Sequence, residues 1–323
     1  MTSVISPDYD IEVVEGHCRS TTLHFMSLID PGKRTIGPFE VGPLGFGCWR
    51  FTNEKSAEAR AVLETALDLG MNLVDTADVY GFDWGGQGFG ANETLLGQLL
   101  AETPSLRGRM VLATKGGIRP PTPYNSGRDY LTQAVHDSLN RLAVEFVDLF
   151  MIHRPDMYTH PAELAGTLTA LREAGKVREF GVSNFTAHQT DALQKHLDFP
   201  LVTDQMEYSL LRLDPMRDGV LDRCMREGVT PMPWSPLAGG ALATGEGLDA
   251  DLLVKMDELA ARESVSRATL AVAFVLAHPS APVPLLGSQS PNRLEEQAQA
   301  VNVTLTRDDV YALFQLADGQ QLP

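Results

Sequence analysis

Short apolar runs rich in β-formers alternate with longer amphipathic stretches along most of this 323-residue chain, and that alternation constrains its fold more than any other feature. Strands separated by helix-length patterns read as βαβ units, because a parallel neighbour is reached only through a crossover. Eight such runs occur: "PLGFGCW" near 43–49, "MNLVDTA" at 71–77, "MVLATKG" at 110–116, "FVDLFMIH" at 146–153, "EFGVSN" at 179–184, "LVTDQME" at 201–207, "VTPMPWS" at 229–235 and "PVPLLGS" at 282–288. Amphipathic stretches such as "SAEARAVLETALDLG", "RDYLTQAVHDSLNRLA", "PAELAGTLTALREAGK" and "PNRLEEQAQAV" lie between them. Eight units predict an α/β chain folded as one closed (β/α)8 TIM barrel, with an open doubly wound sheet as second choice.

Some segments fit no unit. "RTIGPFEVGPLG" reads as an N-terminal hairpin turning at glycine and proline, able to plug the barrel floor. "SRATLAVAFVLAHP" and the C-terminal "TRDDVYALFQLAD" read as extra helices packed on the barrel. Residues 1–33 show no clear period and are expected to be an extension, with the barrel domain spanning 34–323.

Lys and Arg total 26 against 42 Asp and Glu, a net charge of −16, which repels nucleic acid and acidic membrane surfaces. An anionic ligand therefore needs a local basic site. The three cysteines, Cys18, Cys48 and Cys224, are scattered, without the spacing of a metal knuckle or redox pair. With no signal-like start and no membrane-length apolar run, the expected location is the cytoplasm. The sequence leaves the oligomeric state open.

Barrel enzymes place their chemistry at the C-terminal ends of the strands. Residues unlike a buried strand gather there: Asp75 closes the second run, Lys115 the third, His153 the fourth, Ser183 and Asn184 the fifth, Gln205 the sixth, Trp234 the seventh, and Gly287 with Ser288 the eighth. Alone, an aspartate and tyrosine in "NLVDTADVYG" would be a cap and a loop aromatic, and His153 a strand-end residue. Their shared register points to catalysis. A phenol titrates near pKa ~10, so Tyr80 needs a neighbouring cation to act as an acid. Lys115 is that cation, Asp75 its buried counter-ion, and His153 a hydrogen-bonding group for a carbonyl oxygen.

A metal-dependent hydrolase would want clustered histidines on an early strand, but the first run ends in "GCWR". No metal is expected: His17, Cys18 and His24 lack the spacing of a site, and Cys48 reads as a small buried residue. A Schiff-base lysine must be neutral, which the pairing of Lys115 with Asp75 opposes.

The ordered motifs "NLVDTADVYG", "LATKGG", "LFMIHRPD", "GVSNF", "TDQMEYS", "PWSPLAGG" and "LLGSQSPNRLEEQ" resemble the aldo-keto reductase superfamily, most of all its bacterial, largely uncharacterised oxidoreductase branch. The resemblance implies reduction of a small aldehyde or ketone, with NADP(H) preferred over NAD(H). It places Asp75, Tyr80, Lys115 and His153 on the catalytic tetrad, with Tyr80 as proton donor. Ser183, Asn184 and Gln205 fall on positions that hold the nicotinamide carboxamide, and Trp234 stands where a tyrosine usually stacks on the ring. Gly47, Ser235, Leu237 and Gly239 border the cofactor, the last three in the pyrophosphate loop. Ser288, Arg293, Glu296 and Gln297 fall on the adenosine end, although the family often has a basic residue at Gly287 and Asn at Gln297. Trp49 and Trp84 are expected to face substrate, the latter in a glycine-rich loop that reads equally as lid or plain surface. A second functional reading is a non-turnover NADP(H)-binding barrel acting as a redox sensor or regulatory subunit.

Overall fold

The structure, a computed structural model, describes residues 27–52, 56–82 and 85–322. Most of the expected extension, with His17, Cys18 and His24, and also Trp84, lies outside the described residues.

The chain opens with the expected hairpin: β1 (Arg34–Ile36) pairs antiparallel with β2 (Phe39–Val41) across a turn at Gly37, whose φ of +55° suits glycine. Ile36 and Val41 are fully buried in a cluster with Leu73, Val111, Leu149, Val202, Met232 and Val283, the inward residues of the barrel. The Thr35 carbonyl accepts from Thr230 Oγ1 at the start of the seventh barrel strand, and Asn72 Oδ1 accepts from Gly42 N. The hairpin therefore stoppers the end opposite the strand C-termini.

The remaining strands are β3 (Gly45–Gly47), β4 (Leu73–Asp75), β5 (Val111–Gly116), the small pair β6 (Ile118–Arg119) and β7 (Thr122–Tyr124), β8 (Val147–Ile152), β9 (Val177–Ser183), β10 (Leu201–Gln205), β11 (Thr230–Pro231) and β12 (Leu285–Leu286). Eight of the twelve form one parallel sheet in the order β11-β10-β9-β8-β5-β4-β3-β12. Two backbone hydrogen bonds, Val283 N to Pro231 O and Leu285 N to Pro233 O, both 2.9 Å, join its outer strands. The seventh and eighth strands are far shorter than the apolar runs suggested. Prolines 231, 233, 282 and 284 carry no N–H and so interrupt the ladder there.

Helices ring this sheet: α1 (Ser56–Asp68), α2 (Ala91–Glu102), α3 (Arg128–Leu142), α4 (Pro161–Glu173), α5 (Ala187–Gln194), α6 (Val220–Glu227), α7 (Ala241–Thr244), α8 (Ala250–Glu263), α9 (Arg267–Leu276), α10 (Pro291–Ala298) and α11 (Arg307–Asp318). The "SRATLAVAFVLAHP" segment, expected as an extra helix, is α9 and belongs to the inner ring, because Ala268 through Leu276 are all buried. The outer pair is instead α8 and α11, which pack on each other, tied by Arg262 bridging to Asp309 at 2.9 Å. Among the described residues no helix is long and apolar enough to cross a membrane.

Candidate active site

The Tyr80 loop is built by continuing the strand pairing past the end of β4. Thr76 N donates to Ala113 O at 2.9 Å and Asp78 N to Lys115 O at 3.0 Å. Turns from Ala77 O to Tyr80 N and from Val79 O to Phe82 N then fold the tyrosine back over the barrel mouth. Gly81, with φ of +91°, ends the turn where a Cβ would lie 2.7 Å from Ala91 Cβ, so only glycine fits.

The four residues expected to form the tetrad meet at this mouth. Lys115 is fully buried and donates to Asp75 Oδ2 and to the Thr76 carbonyl, both at 2.7 Å. Its Nζ lies 4.8 Å from the centroid of the Tyr80 ring. The Tyr80 and His153 rings meet edge-on with centroids 5.8 Å apart. Asp75 has a second partner that sequence reasoning missed: Gln205 Nε2 donates to its Oδ1 at 3.0 Å.

The electrostatics separate the roles. Burial would push Lys115 down, yet Asp75 and then Tyr80 hold the ammonium above its ordinary value. Burial also raises the Asp75 carboxyl, with Lys115 opposing it. For Tyr80, burial outweighs the pull of Lys115, so the phenol stays above its usual pKa, against the simple expectation that the lysine would lower it. His153 is pushed well below the usual imidazole range by burial, then by Lys115 and Arg154, so it is neutral. Its buried Nδ1 has no hydrogen-bond partner among the described residues. The site thus holds a protonated phenol beside a fixed cation, and a neutral imidazole with unused hydrogen-bonding capacity.

Next to it, Ser183, Asn184 and Trp234 form one network. Asn184 adopts φ of +60° at the end of β9, donates from Nδ2 to Ser183 Oγ at 2.8 Å and to His153 O at 3.2 Å, and accepts from Trp234 Nε1 at 3.1 Å. That indole hydrogen bond is also absent from the sequence reading. Tyrosine's hydroxyl lies elsewhere on its ring, so the tryptophan supplies a different tie.

Several observations test whether the residues present fit a dinucleotide. The loop after Trp234 coils through left-handed residues, Ser235 at φ of +56°, Ala238 at +48°, Gly239 at +71° and Gly240 at +116°, with Gly239 N held by Ser235 Oγ at 3.0 Å. Arg50 Nη2 reaches across to Gly239 O at 3.2 Å. Leu237 instead packs partly buried on the core. At α10 the Ser290 side chain makes no cap and no acid occupies the first turn, so the positive end of the helix is uncompensated. Arg293 stands exposed in that turn, with no ion pair among the described residues. Ser288 Oγ accepts from Ser290 N at 3.3 Å, Gln297 is buried, and the Glu296 carbonyl accepts from Thr269 Oγ1 at 3.0 Å. Gly47 pairs with Asp75 in register, at the rim. An uncompensated helix N-terminus beside a free guanidinium is suited to a phosphorylated ligand.

Trp49 is 40% exposed at the end of β3, and Arg50 lies 5.5 Å over its ring. Cys48 is fully buried and its thiol is pushed up by burial, the inert role expected for it. Two residues went unnoticed in the sequence. Arg154, directly after His153, lies 5.8 Å over the Trp234 ring. Asp78 is fully buried, with neither carboxylate oxygen hydrogen-bonded among the described residues; burial, then Glu93, raises its carboxyl. The pattern "TADVY" gives no sign that this second aspartate turns outward from the barrel.

The mouth of the parallel barrel thus brings together a buried Asp–Lys pair, a tyrosine and a histidine. The Aldo/keto reductase family model matches residues 43–318, and the chain belongs to that family. It is 46% identical over 300 residues to a 6-dehydroglucose reductase of Novosphingobium aromaticivorans, covering 91% of this chain and 98% of that one. A 6-dehydroglucose reductase of Agrobacterium fabrum is 32% identical over 295 residues, covering 88% and 96%. Among solved structures, the thermostable aldo-keto reductase Tm1743, in complex with the inhibitor epalrestat, superposes with a TM-score of 0.76 at 26% identity, covering 88% of this chain and 99% of that one. The chain is thus an oxidoreductase of small carbonyl compounds.

Proposed function

We propose that the protein reduces an aldehyde to an alcohol with NADPH, with Tyr80 as proton donor, and that the aldehyde is sugar-derived. The observation carrying this reading is the fully buried Lys115–Asp75 pair at 2.7 Å, with the ammonium 4.8 Å from the Tyr80 ring. Burying an ion pair is costly, and such pairs cluster at functional sites; a cation beside a phenol has a task there when that phenol gives up its proton. When bound, NADPH supplies the hydride that reduces the carbonyl carbon. Tyr80 donates its proton to the carbonyl oxygen, Lys115 stabilises the resulting phenolate, and solvent restores the proton. His153, neutral, donates its ring N–H to the same oxygen and orients it. Asp75, anchored by Gln205, keeps Lys115 charged and aligned. Ser183 and Asn184 are suited to hold the carboxamide, the Trp234 indole to stack on the ring, and Arg293 with the α10 N-terminus to take the adenosine phosphate. The sugar-derived substrate rests on the two relatives named for 6-dehydroglucose, which match nearly the whole chain.

An NADPH-consumption panel tests the reading: 6-dehydroglucose, D-glyceraldehyde, propanal, benzaldehyde and acetone, each with product analysis. Alcohol formed stoichiometrically, with the hydroxylated aldehydes best, is expected. Tight NADPH binding with no turnover of any member would favour the redox-sensor reading instead.

A further inference from the structure

Arg154 is the residue at the barrel mouth that neither the tetrad nor the cofactor cradle accounts for. It follows His153 directly, is half-buried, and places its guanidinium 5.8 Å over the Trp234 ring. Its charge is felt at the reacting centre, where it adds to the depression of the His153 pKa. Other shielded arginines are neutralised: Arg107 by Asp148 at 2.8 Å, Arg141 by Glu93 at 2.8 Å, and Arg223 by Asp191 at 2.6 Å. Arg154 has no acidic partner and no hydrogen-bond acceptor among the described residues. A guanidinium held against an aromatic face and stripped of part of its water, with five donors unused, is a recognition group awaiting oxygen acceptors.

Both its sequence neighbour His153 and the Trp234 ring it lies over belong to the barrel mouth, which places the guanidinium beside the carbonyl site. The acids nearby are spent: Asp75 is bound by Lys115 and Gln205, and Asp156 accepts from Ser126 N, Tyr158 N and Thr159 Oγ1.

We propose that Arg154 is a specificity-determining residue, which reads the hydroxyl groups next to the reacting carbonyl by donating a forked pair of hydrogen bonds to two of their oxygens. This rests on the reading of the chain as a carbonyl reductase, and extends it by naming what selects hydroxylated aldehydes over plain ones. A site built to hydrogen-bond a substrate hydroxyl discriminates strongly against the analogue lacking it, because the guanidinium is then left unpaired.

D-Glyceraldehyde and propanal share a three-carbon skeleton and differ by two hydroxyls, so the ratio of their kcat/KM values reads the contact. In Arg154→Met that ratio should fall at least about tenfold, mostly through a higher KM for D-glyceraldehyde, with NADPH affinity kept. Arg154→Lys should restore only part of it, since a point charge lacks the fork. A loss shared equally by both aldehydes, a loss of NADPH binding, full restoration by lysine, or an effect confined to the anionic succinic semialdehyde would each overturn the proposal. A second readout needs no turnover: binding of D-glucose to the protein–NADP+ complex, followed by tryptophan fluorescence, should weaken about tenfold in Arg154→Met, and unchanged binding refutes the contact. A wild type that binds D-glucose through Arg154 yet reduces no aldehyde would refute the reductase reading alone.

Discussion

Replacing Lys115 with methionine leaves the shape of the site nearly intact while removing its charge. Lys115 is fully buried, pairs with Asp75 at 2.7 Å, and donates to Thr76 O at 2.7 Å. The variant strands a carboxylate that keeps only the Gln205 bond at 3.0 Å. Breaking a buried pair from one side costs about 3–5 kcal/mol, because the remaining charge is left uncompensated. For a domain of this size the melting temperature should fall on the order of 10 °C at pH 7. Without its cation the Asp75 carboxyl, already raised by burial, rises further above the unfolded value near ~3.9. A raised folded pKa means that the unfolded chain loses the proton first as pH rises, so the deficit should shrink on moving from pH 7.5 to pH 5. Adding Asp75→Asn removes the stranded charge and should recover much of the stability. Turnover should remain about 10²- to 10⁴-fold below wild type in both variants, since neither restores a cation to Tyr80. Thermal scans of the two single variants and the double variant at both pH values read this out. An unchanged melting temperature in Lys115→Met, or a double variant less stable than that single one, would refute the reasoning.

Arg293→Met should weaken NADPH roughly ten- to a hundred-fold, the worth of charge-assisted hydrogen bonds of about 1.5–3 kcal/mol, and leave NADH nearly unchanged. Fluorescence titration of both cofactors decides it, and equal losses would mean that Arg293 does not read the phosphate. Asp204 is buried on β10; among the described residues its Oδ1 has no partner and its Oδ2 accepts from Thr190 Oγ1 at 3.4 Å, and burial pushes its carboxyl up to about 8 with Arg223 opposing. Because the unfolded chain releases this proton near pH ~4, the residue withdraws stability progressively between there and about pH 8. Asp204→Asn should therefore gain on wild type as pH rises from 5 to 8, by up to a few kcal/mol at about 1.4 kcal/mol per pKa unit, and a gain equal at both ends would contradict the assignment.

The barrel was legible because its strands are bounded apolar runs in regular alternation with amphipathic helices, and that pattern survives without knowledge of contacts. It blurred between the last two strands. There "ADLLVKMDELAARE" and "SRATLAVAFVLAHP" both precede β12, and only packing shows that the all-apolar α9 is the inner helix and α8 the outer one. Strand ends suffered where prolines cut the ladder while the apolar run continued. The gathering of these residues at one mouth was legible because Asp75, Lys115 and His153 are out of character at the ends of buried strands. Ties between side chains far apart in sequence were not: Trp234 to Asn184, Gln205 to Asp75, and Arg154 over Trp234 depend on strand register and twist. The pKa of Tyr80 shows the same limit, since sequence names the cation beside it but not the burial that outweighs it.

The most direct test is Tyr80→Phe in a single-turnover experiment, mixing the protein–NADPH complex with an aldehyde that the wild type reduces and following loss of the reduced-cofactor absorbance. The ring, its packing on His153 and the Lys115–Asp75 pair remain, and the hydroxyl that would donate the proton is gone. NADPH affinity within about twofold of wild type, with hydride transfer slower by about 10² or more, is the predicted result. Hydride transfer at close to the wild-type rate, with NADPH still bound, would show that another group supplies the proton.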